Sequence, residues 1–558
     1  MGVDVGSAAH GVMGKVKKVK AIVTDTGEKR LRELGYKQEL SRTLGMIVNF
    51  AVSYTIIGVL MGITGLYSLG FSYGGPVSVI WGWVTVGFFS IFIALSMAEL
   101  TSSLPTAGGL YFWSYHLAGP KWGPIASWIT GWFNYLGFVC GMAVINSIGA
   151  NVIATQIVLS TGPGGETGYV ATKEMILLFM TILAILQGII NSFHVNFLAV
   201  FEKMALYIEI AGLIIICVTL LSISDHKQSA KFVFTQYEPA IGTGVNNKFY
   251  VFLIGLLMSQ FTLLAYDAAT HLTEETVGAD WTAPIMIVSA VVSAAVAGFL
   301  YLLVLTFCIQ DPLTILDPGN ATAGLNAVGQ IFYDAFVSKG HTYKGAIALL
   351  MIPLLAAWFS GVAQLAATSR VLFAVTRDKA VPFSKFLHWS PASTHTPIVA
   401  VWVSVFFSFC FSLFILKNSI AFNAVTSAST IGAYIAYTIP IALRLVCPHN
   451  FHPGPFHLGW FSYVSGTIAV VYMVFMCVVF CLPISYPIDS NTFNYTPVTA
   501  GAVTLVALIL WFASARKYYK GPVRTITTDE SFAGENYYKD EMTVHGEENR
   551  KAPPVGAL

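Results

Sequence analysis

The chain has 558 residues; 55% are hydrophobic and 10% charged, and 30 lysines and arginines against 28 acids leave a net charge of +2. A soluble globular chain carries about 25% charged residues, so this one cannot cover a surface that faces water. High apolar content and near-neutrality also exclude a disordered chain, a collagen-like chain and a nucleic-acid binder. The composition is that of an all-α integral membrane protein.

Residues 1–44 are polar and rich in lysine, without the apolar core of a signal peptide, so the first span is expected to act as its own insertion signal. A helix needs about 20 mostly apolar residues to cross the hydrocarbon core. That rule predicts spans at 46–72, 79–101, 124–150, 174–192, 198–223 and 249–271, then at 285–309, 345–375, 397–416, 421–446, 460–485 and 498–515. The apolar runs are continuous rather than alternating, which favours helices over barrel strands. An even number of crossings puts both termini on one side.

Lysines and arginines in the short loops are balanced between the two sides, and the tails decide the orientation. Lys15, Lys17, Lys18, Lys20, Lys29, Arg30, Arg32, Lys37 and Arg42 precede the first span, and Arg516, Lys517, Lys520, Arg524, Lys539, Arg550 and Lys551 follow the last. The positive-inside rule therefore expects cytoplasmic tails at 1–44 and 516–558. The glycosylation triplets at Asn320 and Asn494 then fall on the outer side. The seven cysteines lack metal or redox spacing and read as small apolar packing residues.

Two spans are irregular. Gly58, Gly62 and Gly65 fall within eight residues of mid-span, with Thr64 between the last two. Such a run either packs closely against a neighbouring helix or unwinds to expose backbone N–H groups, which bind anions. In the sixth span, Asp267 would stand within hydrocarbon, facing a cavity or a partner, or nearer the interface as a cap. Interruptions in spans 1 and 6 are what a five-plus-five inverted repeat would place at corresponding positions. In span 5, Lys203 and Glu202 are expected to reach the inner interface. Glu209 lies deeper; desolvation of a carboxylate favours its protonated form, making it a candidate proton carrier, with a structural hydrogen bond as the alternative.

Several runs carry a resemblance. Ala98 to Pro120 (AELTSSLPTAGGLYFWSYHLAGP) resembles the loop after helix 2 of the amino acid–polyamine–organocation transporters. Gly131-Trp-Phe-Asn134, Lys231 to Thr235, Tyr266 to Thr276, Ser369 to Asp378 and Asn494-Tyr-Thr-Pro497 resemble the amino acid/choline branch, which includes plant bidirectional amino-acid permeases and fungal γ-aminobutyrate permeases. The likeness runs from about residue 40 to 520. It implies a first repeat at 45–223, a second at 249–446, and two further helices within 460–515.

The resemblance also implies a site. The substrate carboxylate would meet backbone amides of Met61, Gly62, Ile63, Thr64 and Gly65, and the amine would meet carbonyls of Gly58, Phe261 and Leu264. Phe261 matches an aromatic that closes over substrate, and Ala265 replaces the family's usual glycine. Span 3 would offer Thr130, Gly131, Asn134 and Tyr135, and span 8 Gln364. Glu209 and Asp267 are the candidates for proton coupling, Asp267 matching a position often acidic in relatives. The implied activity is secondary transport of small amino acids, including γ-aminobutyrate; a choline or polyamine carrier is the alternative.

An enzyme would need a cluster of acids or histidines, and only His449, His452 and His457 approach one, in a Pro/Gly-rich loop that reads as solvated. No Walker-type phosphate loop is present, which argues against ATP-driven transport. The expected partners are an amino-acid substrate and the lipid bilayer, with no cofactor, no metal and a proton as the coupling ion. The plasma membrane is the default location, with vacuolar, Golgi and mitochondrial membranes open, and the oligomeric state is left open.

Overall fold

A computed structural model describes Leu31 and residues 45–522 apart from 163–167, 239–242, 382–383, 392–395, 418 and 490–491. Most of the two tails thus lies outside the described residues. Among the described residues the regular structure is helical, and eleven helices are long and apolar enough to cross a membrane. The twelfth crossing, span 6, is broken into Lys248–Gly255, Leu257–Thr262 and Ala268–His271.

The first span is also broken. It divides into Met46–Ile57 (1a) and Val59–Ser72 (1b) around Gly58, whose φ of 56° and ψ of 59° glycine adopts without steric penalty. The break thus falls at the first glycine of the 58–65 run, and Met61 to Gly65, which the resemblance placed in an unwound stretch, are helical. Their glycines serve close packing: a Cβ on Gly62 would lie 2.6 Å from Thr262 of span 6, and one on Gly65 would lie 2.4 Å from Ile148 of span 3.

Spans 2 to 5 are Gly75–Ser103, Leu110–Thr161, Lys173–Asn191 and Val195–Ile223. Spans 7 to 10 are Ala279–Phe307, Lys344–Arg377, Ile398–Ser412 and Ser419–Val446, and spans 11 and 12 are Phe461–Cys481 and Thr496–Leu510, the last prolonged by a π turn over Trp511–Ala515. Within Leu110–Thr161, Gly119 (φ 72°, ψ 179°) is non-helical and divides a short arm, 110–118, from span 3 proper, which begins close to the expected 124 and runs on to Thr161, past the expected 150.

Polarity is inside out relative to a soluble protein. Phe88, Ile214, Phe406 and Leu505 are exposed on outer faces, whereas Asn134, Gln260, Asp267 and Gln364 are buried, as a hydrocarbon surround requires. Spans 2 and 7 lock tightly: Trp83 Nε1 donates to Ala295 O at 2.8 Å, and a Cβ on Gly298 would fall 2.0 Å from Trp83 Cζ2.

Charges gather at the end where span 1 begins and span 12 ends. Arg370 of span 8 meets Glu275 at 3.2 Å, Arg377 meets Glu274 at 3.5 Å, and Tyr111 donates to Asp378 at 2.6 Å. Arg444 lies 3.9 Å from Glu99 and 3.9 Å from the Phe451 ring centroid, pinning the loop after span 10 to span 2. Span 5 corrects one expectation. Lys203 is exposed, but Glu202 is 1% exposed rather than at an interface, because its side chain turns into the bundle. His449, His452 and His457 are all exposed in their loop.

Removing one partner of a buried ion pair strands the other charge and costs about 3–5 kcal/mol. Arg370→Met should therefore lower the melting temperature of the purified chain in detergent. The double variant Arg370→Met/Glu275→Leu should recover most of that loss, as measured by thermal denaturation.

Candidate functional site

The two breaks meet. Val59 to Met61 open helix 1b, where the first N–H groups of a helix have no intrahelical acceptor. The Gly62 N–H is already used, donating to Gly58 O at 2.7 Å. In span 6, the helix stops at Thr262, Leu263 leaves helical geometry (φ −87°, ψ 54°), and Ala265 takes a φ of 61°. An alanine in that left-handed region is strained, where glycine would not be. The carbonyls at the end of the segment Leu257–Thr262 (6a) are thereby left without helical donors.

Between the breaks lies a small, partly open cavity. Ile56, Ile57 and Met61 of span 1 line one side, and Phe261, Leu264, Ala265 and Asp267 of span 6 line the other. Span 3 contributes Gly137, Phe138, Gly141 and Ile145, span 8 Gln364, and span 10 Ser429, Ala433 and Tyr437.

Of the residues expected at the site, Met61, Phe261, Leu264, Ala265, Gln364 and Asp267 therefore share one cavity. Gly58 forms the break beside it. Gly62, Ile63, Thr64 and Gly65 lie within helix 1b, outside the lining, and Thr64 Oγ1 is bound to Tyr301 Oη at 2.9 Å. Asn134 is not in the lining either; its Nδ2 lies 3.2 Å from His271 Nε2. Gly131 and Tyr135 line a separate apolar groove with Phe407 and Val503. Thr130 is held by Ser114 at 2.9 Å. Glu209 is 2% exposed, stands away from the cavity, and neither of its oxygens has a hydrogen-bond partner among the described residues.

Gln364 Nε2 donates to Phe138 O at 3.0 Å, while its buried Oε1 has no partner among the described residues. Tyr437 donates to Asp267 Oδ1 at 2.6 Å, and Asp267 Oδ2 lies 3.3 Å from His271 Nε2. His271 Nδ1 in turn meets Ala107 O at 3.0 Å. The site thus offers helix-end N–H donors on one wall and unpaired oxygen acceptors on the other.

The sequence reading missed two groups of residues here. His271 stands four residues after Asp267, a helical spacing that joins the two side chains. The hydroxyls at Thr426, Ser429, Thr430, Tyr434 and Tyr437 form a polar stripe along span 10 that could have marked it as a wall of the site.

Residues 44–505 match the family model described as amino acid permease. The chain belongs to the amino acid permease family. Among its relatives, an amino-acid permease BAT1 homolog of Oryza sativa subsp. japonica is 42% identical over 504 residues, covering 90% of this chain and 96% of that protein. Amino-acid permease BAT1 of Arabidopsis thaliana is 40% identical over 505 residues, with 90% and 98% covered. A GABA-specific permease of Saccharomyces cerevisiae is 27% identical over 532 residues, with 93% and 89% covered. As an amino acid permease, the chain is a multi-pass membrane transporter and not an enzyme, and its substrate is an amino acid.

The contact between Gly62 and Thr262 holds the two breaks together. Gly62→Leu should push span 1b off span 6 and abolish uptake, while the amount of protein in the membrane stays near parental. Normal uptake by a correctly inserted Gly62→Leu variant would show that the breaks need not touch.

Proposed function

We propose that this permease carries small amino acids, γ-aminobutyrate among them, by secondary transport with alternating access, in the cavity between the two broken spans. The observation that carries this reading is the pairing of donors and acceptors across that small cavity. A substrate carboxylate would sit on the N–H groups that open helix 1b, Met61 among them, where the helix dipole favours an anion. The ammonium would face the carbonyls at the end of 6a, Phe261 and Leu264 among them, together with Gln364 Oε1. Helix N-termini for the anionic end and unwound carbonyls for the cationic end are the arrangement this physics favours. Phe261, which is buried against the cavity, would act as its lid.

A second reading, a choline or polyamine carrier, has one observation in its favour: Asp267 borders the cavity and suits a cation. The readings separate in proteoliposomes. Labelled γ-aminobutyrate should exchange against unlabelled small amino acids, and choline or a polyamine should not compete. Competition by choline or a polyamine, with none by amino acids, would reverse the assignment. Phe261→Ala should raise the apparent KM for uptake about tenfold, a loss of about 1.4 kcal/mol, with a much smaller effect on protein abundance. Equal losses in both would make Phe261 a packing residue.

A further inference from the structure

Span 3 lines two separate spaces. Gly137, Gly141 and Ile145, four residues apart, face the substrate cavity. Trp132, Tyr135, Leu136 and Val139, at the i, i+3, i+4 and i+7 positions of a helical stripe, face an apolar groove. Its other walls include Leu372 and Val375 of span 8, Phe407 and Phe411 of span 9, and Val503 of span 12. Phe386 and Leu387, on the short helix Ser384–Leu387, form a lip at the end where span 8 finishes. His388 stacks on Phe373 at 4.2 Å and so holds that helix against span 8. The groove encloses ≈ 700 Å³, within the range of about 300–1,000 Å³ typical of ligand sites. Phe386, Phe406 and Phe407 are exposed on its rim, so it opens to the bilayer.

Two polar side chains interrupt this lining. Tyr135 Oη is bonded to Ser404 Oγ at 3.2 Å. Trp132 Nε1 is buried and has no partner among the described residues. An N–H left unpaired in hydrocarbon is costly. A helical side chain leans towards the start of its helix, which carries the Trp132 N–H towards the end where span 3 begins.

That end is cationic. Ile125 and Trp128 of span 3, Val375 and Ala380 at the end of span 8, and Ala515 and Tyr519 beyond span 12 share one apolar cluster. Tyr519 is also bonded to Ser127 at 3.0 Å. The segments that build the cluster and the lip carry Lys121, Lys379, Lys385, Arg516, Lys517 and Lys520. All six are exposed, and none is in an ion pair among the described residues. The acid in these segments is Asp378, which is buried and accepts from Tyr111 at 2.6 Å. Long cationic side chains at span ends reach the headgroup region, and basic sites between spans bind anionic headgroups.

We propose that the groove between spans 3, 8, 9 and 12 is a binding site for one anionic glycerophospholipid. Its phosphate rests among these cations, an ester oxygen accepts from Trp132 Nε1, and one acyl chain fills the groove. Phosphate, ester oxygens and acyl chain follow one another in such a lipid in the order in which this wall presents cations, orphan N–H and apolar volume. A sterol would fill the apolar part but brings no anion. A zwitterionic lipid brings a cation beside its phosphate. The site does not depend on which amino acid is carried. Span 3 separates it from the substrate cavity, so the bound lipid braces the helix that carries Gly137 and Gly141, and binding to the folded chain alone stabilises it.

The test uses the full-length chain purified in a neutral detergent, with dioleoyl phosphatidylglycerol as the probe and dioleoyl phosphatidylcholine for comparison. Native mass spectrometry during lipid titration should show a single phosphatidylglycerol retained per chain, bound more tightly than phosphatidylcholine. Thermal denaturation should show a higher melting temperature with phosphatidylglycerol than with phosphatidylcholine. Lys379→Gln/Lys385→Gln/Lys517→Gln should weaken the binding about a hundredfold, at about fivefold for each cation near an anionic lipid. Val503→Trp fills the groove and leaves every cation in place; it should abolish the retained species while the lipid-free chain melts near the parental temperature. Glycerol 3-phosphate, a headgroup without chains, should leave the melting temperature unchanged, and cholesterol should not displace the bound lipid. Equal binding of the two phospholipids, undiminished binding by either variant, displacement by cholesterol, or stabilisation by glycerol 3-phosphate alone overturns the proposal.

Discussion

The fold depends on one constraint: in hydrocarbon, every backbone N–H and C=O must find a partner inside the protein. Ten of the crossings satisfy it as continuous helices. Spans 1 and 6 do not, and they are tolerated because each break faces the other across a protein-lined cavity instead of facing lipid. The absence of side chains at Gly58 and Gly62 makes this geometry possible. Gly58 supplies a left-handed turn, and Gly62 lets the 1b helix approach Thr262 closely enough to keep lipid out. The same backbone groups that would be costly in lipid are the ones available to a ligand.

The second organising feature is the concentration of paired charge at one end. Arg370 and Arg377 of span 8 reach the acids that follow span 6, while Arg444 reaches Glu99 of span 2. Buried ion pairs contribute little net stability over apolar replacements, yet breaking one is costly. They are better regarded as devices that fix which loop sits on which span. Here they hold the 104–109 loop, the end of span 6 and span 8 in register around a closed floor beneath the cavity.

Most of the topology was legible because membrane spans announce themselves by apolar length, and all twelve expected spans coincide with helices to within a few residues except at span 3. There, Gly119 divides the 110–118 arm from the span close to the expected start, and the helix runs on to Thr161, past the expected end at 150. The first break falls at Gly58, the first residue of the 58–65 run that was expected to unwind or pack closely. Three glycines in eight residues gave no local means of telling which one unwinds and which ones pack, because that depends on Thr262 and Ile148, about 200 and 85 residues further on in the chain. Of the residues the resemblance implies, Phe261, Leu264, Ala265 and Gln364 line the cavity between the breaks, which span 3 borders with residues from Gly137 to Ile145 and not with Thr130 to Tyr135. Glu202 and Glu209 could be seen as acids in a span, but only packing could say that both are buried and that neither borders the cavity.

The lock between spans 2 and 7 has a mechanical consequence. Each of these spans follows directly on a broken one, and at Gly298 the Trp83 indole fills the space that a side chain would need. The two struts therefore cannot slide past one another without displacing the largest side chain in their interface. A force applied at either break is borne by both struts at once. The two broken spans are thereby tied to each other through struts that are themselves locked.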